Sequence, residues 1–278
     1  MSNYTPMMRQ YLETKEKYRD CILLYRLGDF YEMFFEDAEK ASRILDLTLT
    51  GRSCGMAERA PMCGVPYHAV DAYVAKLIAA GEKVAICEQL SDPKSRELVE
   101  RDVVRVITAG TVMESDILVE NRSNYIASVC LGNDKVGVAF CDISTGEFCA
   151  MQLEGAYIRD LQEILVSYKP AEIIGNAAAK EVSANLECVR ASYVPQFTAY
   201  EESCFDAKRA KEKTMYHYGV TTLDGFGLAG KTFAVCACGA LLCYLDDTQK
   251  RNLPHLRNIS YVDKSKYMSI DNKTRRTL

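Results

Sequence analysis

The sequence predicts two α/β domains joined by an irregular connector, and three observations carry that reading. The chain has 278 residues, more than one domain of ordinary size needs. Up to residue 110, short apolar runs alternate with stretches of helical period, which indicates a layered mixed-sheet α/β domain. From Asn124 onward three strands follow one another before helix and strand alternate again. Hydrophobic residues make up 48% of the chain and charged residues 26%, so each half can bury a core.

Thr5-Pro6 reads as a helix start, a capping hydroxyl followed by proline at the first helical position. Met8, Tyr11, Leu12 and Lys15 then form one stripe. Cys21 to Tyr25 is a compact strand, Leu27-Gly28-Asp29 can turn it back, and residues 30–35 read as a second extended piece. Asp37 begins a helix through Leu45, with Ala38, Ala41 and Leu45 on one face. Leu47 and Leu49 alternate with Thr48 and Thr50 as in a half-buried strand. Residues 51–61 read as a polar loop, and Met62 to Val65 re-enters the fold. Val70, Tyr73, Val74, Leu77 and Ile78 have helical spacing, and Gly81 ends that helix. Lys83 to Cys87 and Val103 to Thr108 are strands on either side of a charged loop at 91–101.

Residues 111–123 lack a clean period and read as a linker. Beyond it, residues 124–131, 136–143 and 147–153 are strands separated by Gly132-Asn133-Asp134 and Thr145-Gly146, an antiparallel meander. A helix carrying Ile158, Leu161, Ile164 and Leu165 follows, then a strand at Ile173-Ile174, a helix over 177–187 and a strand near 189–193. Three antiparallel strands followed by this alternation is the order of a ribonuclease-H-like domain. Residues 199–216 are charged and helical in pattern, 231–246 form an apolar helix, and a short strand lies near 259–262.

Net charge is −4 and the pI about 5.6, which argues against strong non-specific nucleic-acid binding by the chain as a whole while leaving room for a local contact. The twelve cysteines include no CxxC pair, and His68, His217 and His255 sit at no zinc-type spacing. Scattered among Val, Ala and Ile, the cysteines read as small core hydrophobes of a reducing cytosol. No apolar run reaches membrane-spanning length and the N-terminus has no signal layout, so a cytoplasmic protein without membrane contact is expected.

Three ordered blocks make the pattern specific: Gly28-Asp29-Phe30-Tyr31-Glu32-Met33-Phe34, Pro61-Met62-Cys63-Gly64-Val65-Pro66-Tyr67-His68-Ala69-Val70, and Val84-Ala85-Ile86-Cys87-Glu88-Gln89. They resemble the mismatch-recognition domain of the MutS family of bacterial DNA mismatch-repair proteins. Cys141 to Phe148 and Leu223 to Leu228 resemble the family's connector domain, and Leu253 to Leu256 with Asp271 to Arg276 resemble the entry into its core. The resemblance implies a mismatch-recognition domain at 1–110, a linker at 111–123, a ribonuclease-H-like connector at 124–255, and the truncated start of the core or lever domain at 256–278. The family's clamp and ATPase regions have no counterpart here. The implied partners are mismatched double-stranded DNA and, through the connector, MutL. The family acts as a homodimer through parts not matched here, so a monomer binding DNA weakly is the expectation. No cofactor is expected in these domains, since ATP and Mg²⁺ belong to the full-length parent.

The residues of the first block fit that chemistry. In an extended segment, positions 30, 32 and 34 face one way. The resemblance assigns Phe30 as a wedge entering the minor groove at the mispaired base and Glu32 as the contact to that base. A ring driven into a base step costs a few kcal/mol of unstacking, less where pairing is already defective. A carboxylate near phosphates weakens binding to every duplex, and a hydrogen bond to a displaced base offsets that only at a lesion. Thr50 and Arg52, beside Gly51, could reach phosphates, and Met62 could line the groove. Core packing is the ordinary reading of Tyr31, Met33 and Phe34.

Two other readings compete. Gly225 to Thr232 fits the phosphate-binding expression G-x-x-x-x-G-K-[ST], but Tyr216 to Thr222 before it is not a buried strand, and Leu241 to Asp246 continues one helix rather than forming a Walker B strand. The ribonuclease-H-like order suggests a two-metal nuclease, with Asp142 and Glu147 as its nearest carboxylates. Asp142 reads better as a turn residue before Ser144-Thr145-Gly146.

Overall fold

The structure, a computed structural model, describes residues 4–91, 99–113, 123–183 and 193–263. The strand expected at 189–193 falls almost wholly outside them, as do most of the expected linker and the basic run at 273–276. The chain divides into two compact units, Met1–Asn124 with Leu245–Asn252, and Tyr125–Tyr244 with Leu253–Leu278.

The first unit runs α1 (Pro6–Lys17), β1 (Cys21–Leu27), β2 (Phe30–Phe34), α2 (Phe35–Leu45), β3 (Thr50–Arg52), β4 (Ala60–Pro66), α3 (Val70–Ala79), β5 (Lys83–Gln89) and β6 (Arg101–Ile107). Its six-stranded sheet has the order β3-β4-β2-β1-β5-β6. Only the β1–β5 pair is parallel; the rest are antiparallel. Thr5 caps α1 as expected, its hydroxyl accepting from the Met8 amide at 3.4 Å ahead of Pro6.

Three boundaries differ from expectation. The helix expected from Asp37 begins at Phe35, whose φ of +54° turns the chain abruptly out of β2. Leu47 to Leu49 is not a strand despite its alternation; the strand is the three residues Thr50–Arg52. The polar loop ends earlier, because β4 begins at Ala60 and pairs Ala60 with Arg52.

The sheet has two unlike faces. Ile22, Leu24, Tyr31, Met33, Cys63 and Val65 pack against Ala38, Ala41 and Leu45 of α2 and Val74 and Leu77 of α3. On the other face Leu23, Tyr25, Phe34 and Cys87 pack against Met8 and Tyr11 of α1. Tyr11 makes edge contacts with the rings of Tyr25 and Phe34 at 5.3 and 4.9 Å. Asp37 ties these layers together. Its buried carboxylate accepts from Lys15 Nζ at 2.8 Å and the Leu23 amide at 3.0 Å, so α1, β1 and α2 meet on one group.

The second unit contains β7 (Tyr125–Leu131), β8 (Lys135–Asp142), β9 (Glu147–Glu154), α4 (Tyr157–Tyr168), β10 (Glu172–Gly175), α5 (Ala177–Ser183), β11 (Gln196–Ala199), α6 (Ala207–Tyr218), α7 (Thr232–Gln249) as far as Tyr244, and β12 (Ser260–Tyr261). The order β11-β10-β7-β8-β9-β12, with the expected antiparallel meander at its centre and β10 parallel to β7, is the ribonuclease-H-like arrangement. Leu161, Ile164 and Leu165 of α4 cover Val129, Val138 and Phe140 on one face. On the other, Gly137 lets the start of α7 lie on the sheet: a Cβ there would stand 1.9 Å from the Phe233 carbonyl oxygen. Of the eleven described cysteines, ten are buried and Cys243 is half-buried. Burial pushes the Cys63 thiol up to about 11 and that of Cys87 up to about 12, which suits inert core residues.

Removing the Asp37 carboxylate strands a lysine and a buried amide together. Asp37→Ala is expected to destabilise the first unit by about 3 kcal/mol or more. A lowered urea midpoint with unchanged slope checks this.

Candidate nucleic-acid interface

β2 is the strand from which the interface is built. Its partners fix its orientation twice over: Tyr25, Arg26 and Leu27 of β1 lie opposite Glu32, Tyr31 and Phe30, and Gly64 and Pro66 of β4 lie opposite Glu32 and Phe30. Directly paired residues of antiparallel strands share a face. Tyr31 and Met33 therefore point into the core under α2 and α3, while Phe30, Glu32 and Phe34 point the other way. That second face is covered by α1 only at the Phe34 end, where Phe34 is buried. At the opposite end Phe30 is 47% exposed.

All five sequence-predicted residues share this face. Thr50 pairs with Met62 and Arg52 with Ala60, while Met62 pairs with Phe34. The register thus carries the parity of Phe30 and Glu32 across β4 to β3. Arg52 Nη1 stands 2.5 Å from Glu32 Oε2, with the carboxylate 16% and the guanidinium 38% exposed. The Thr50 hydroxyl donates to the Met62 carbonyl at 3.0 Å. Gly64 lies opposite Glu32, and a Cβ there would come within 3.2 Å of the Tyr31 carbonyl oxygen. The arrangement is a half-exposed ring beside a charge-neutralised carboxylate–guanidinium pair on one face of the sheet.

The reverse face of the same hairpin holds a cluster that motif reading did not single out. The Tyr31 hydroxyl donates a short hydrogen bond to Glu88, and burial together with that carboxylate raises its pKa. Arg26 Nη1 lies 3.7 Å from the same Glu88 oxygen, and the Arg26 guanidinium carbon sits 3.9 Å from the Tyr67 ring centre. Tyr31, Tyr67 and Glu88 come one from each of the three sequence blocks. Their convergence is a signal that spacing alone does not carry.

The competing motifs resolve differently. Asp142 is buried, and its Oδ1 accepts from the amide and hydroxyl of Ser144 at 2.9 and 2.6 Å, the turn role expected of it. Glu147 accepts from the Tyr125 hydroxyl at 2.6 Å. No group of three or more His, Cys, Asp or Glu converges on a metal-sized site among the described residues. Ahead of Lys231 stand α6 and a 3₁₀ turn at Asp224–Phe226 in place of a strand. The Lys231 amide already donates to Leu228 O at 3.1 Å and the Phe233 amide to Gln152 Oε1 at 3.0 Å. Those amides are spent on the fold rather than held for phosphates.

The family model of MutS domain I matches residues 5–116, and that of MutS domain II matches residues 124–257. The chain belongs to the MutS family. The DNA mismatch repair protein MutS of Lachnoclostridium phytofermentans is 44% identical over 279 residues, across 100% of this chain and 30% of its own length. The MutS proteins of Ruminiclostridium cellulolyticum and Symbiobacterium thermophilum are each 44% identical over 280 residues, covering 100% and 99% of this chain and 32% of their own. The chain thus spans about a third of the length of these MutS relatives. Among the described residues no helix is long and apolar enough to cross a membrane.

The Gly225 to Thr232 segment yields a direct expectation. Mg·ATP titrated into the protein should give no saturable heat, and Lys231→Ala should change nothing. Saturable binding that this substitution removes would restore the nucleotide reading.

Proposed function

We propose that this chain inspects duplex DNA for mispaired bases, with Phe30 as the wedge and Glu32 as the group that contacts the displaced base. The observation that carries the reading is the half-exposed Phe30 ring, on a strand whose neighbours Tyr31 and Met33 are fully committed to the core. The ring keeps about half of its surface accessible, so a duplex can reach it from the face shared with Glu32 and Arg52. The wedge discriminates by deformation: inserting it unstacks a base step at a cost of a few kcal/mol, and a mispaired step has already lost part of that stacking. One detector can thereby serve many mismatches.

The Glu32–Arg52 pair refines the role of the carboxylate. In the free protein Arg52 neutralises it, so neither charge acts alone on an approaching phosphate. On matched DNA the pair stays closed. At a lesion Glu32 turns to the displaced base, and Arg52 is released to the backbone, where each added phosphate contact strengthens binding in a salt-dependent way. Thr50 and Met62 line the same face and complete the contact surface.

The second unit acts, in this reading, as the connector that passes the outcome to MutL and to the ATP- and Mg²⁺-using part of the full-length parent, which works as a homodimer. Recognition, rather than a chemical step, is the role assigned to these two units.

Fluorescence anisotropy with a labelled duplex, with and without one G·T pair, tests the proposal at low salt. Phe30→Ala is expected to bring the two affinities to parity; a retained preference overturns the wedge. Glu32→Ala should tighten binding to the matched duplex and steepen its salt dependence by about one phosphate contact, since Arg52 is then unpaired. An unchanged matched-duplex affinity and slope would remove the charge pair from the mechanism.

A further inference from the structure

The loop that presents Phe30 is held from behind. Leu27 and Phe30 are paired, so Gly28 and Asp29 form a two-residue hairpin loop, and Gly28 has a φ of +62°. Glycine at the first loop position suits such a turn, but a turn alone leaves a hairpin tip free to fray. Here both loop carbonyls are anchored. Arg26 Nε donates to the Gly28 carbonyl at 2.5 Å, and the Tyr67 amide donates to the Asp29 carbonyl at 3.0 Å.

Arg26 is itself tightly held. Its side chain is 17% exposed, and a guanidinium so enclosed needs partners. It has the Gly28 carbonyl, the Glu88 carboxylate, and the faces of Tyr67 and Tyr31 at 3.9 and 5.3 Å. Arg26 is the register partner of Tyr31, which places it on the sheet face opposite Phe30 and Glu32. A phosphate contact shared with Phe30 is therefore a poor account of it: its charge is already engaged, and it points away from the open face.

We propose that Arg26, locked between Glu88 and Tyr67, is a positioning residue for mismatch discrimination, fixing the Gly28-Asp29 loop so that Phe30 does not yield when it is driven against stacked bases. This rests on the reading of Phe30 as the wedge. Discrimination by deformation requires a stiff probe, because a ring that tilts away lets matched and mispaired steps be accommodated alike. A loosened support degrades a site whose residues are all still present.

The test compares Arg26→Met, Arg26→Lys, Glu88→Gln and Phe30→Ala in the full chain. It reads mismatched and matched affinities with their salt slopes, and amide hydrogen exchange at residues 28–30 without DNA. Arg26→Met should lower the mismatch-to-match ratio about tenfold through weaker mismatch binding, with matched affinity and salt slope unchanged. Exchange at the loop should quicken while the global unfolding midpoint holds. Glu88→Gln, which keeps an acceptor for Tyr31, should move both readouts the same way by less, and Arg26→Lys should restore the ratio only in part. If Arg26→Met weakens both duplexes equally and reduces the salt slope, Arg26 is a phosphate contact and the proposal fails. It also fails if Phe30→Ala abolishes the preference while Arg26→Met and Glu88→Gln leave ratio and exchange untouched. A preference that survives Phe30→Ala overturns the wedge reading itself, and the positioning role with it.

Discussion

The interface depends on the burial of Tyr31 and Met33 beneath α2 and α3. A strand has a side-chain period of two, so committing these two residues to the core leaves Phe30 and Glu32 facing outward. A slip of one residue would bury a carboxylate and expose a methionine, which the paired strands on both sides of β2 resist. The same parity passes through β4 to β3 and brings Thr50, Arg52 and Met62 to the face of Phe30. The proposed recognition surface is thus a by-product of core packing on the opposite side of one sheet.

Charge bears on how an acidic chain could carry the proposed DNA contact. The net charge of −4 opposes a general grip on phosphates, and Arg52 is bound to Glu32 in the free state. A pair in which one partner is more than a third exposed is worth no more than about 1 kcal/mol. Exchanging it for a base contact and a phosphate contact is therefore inexpensive. In the proposed mechanism, affinity for plain duplex stays low and binding depends on whether Glu32 finds a partner.

Much of this fold is legible in the sequence because the local signals agree with one another. Thr5-Pro6, the glycine of the Phe30 hairpin and the three-strand meander all combine turn chemistry with the right apolar period. Where the reading fails, tertiary context overrides a local rule. Leu47 and Leu49 alternate with threonines as a strand would, yet β3 starts only at Thr50, where β4 supplies hydrogen-bond partners. Phe35 enters a helix through a backbone conformation that bulky residues avoid, which no propensity scale anticipates. The shared face of Phe30, Glu32, Thr50, Arg52 and Met62 follows from strand parity, while the role proposed for them rests on resemblance. Arg26 and Glu88 are not, because 62 positions separate them in the chain and only the parallel β1–β5 pairing brings them together.

That pairing also supplies the support argued for the proposed wedge. A probe meant to enter a groove must keep its own face clear, so nothing bulky can brace Phe30 from the front. The remaining routes are through the backbone and from the reverse face of the sheet. Both are in use: two carbonyls of the loop are anchored, and the anchoring guanidinium stands back to back with the reading face. Such bracing enlarges no contact area and adds no positive charge on the DNA side. In the proposed mechanism it acts only on how far the ring can retreat, the quantity on which a deformation-based detector depends. The three sequence blocks meet at this hairpin tip through Tyr31, the Tyr67 backbone amide and Glu88, each from a different strand or strand end.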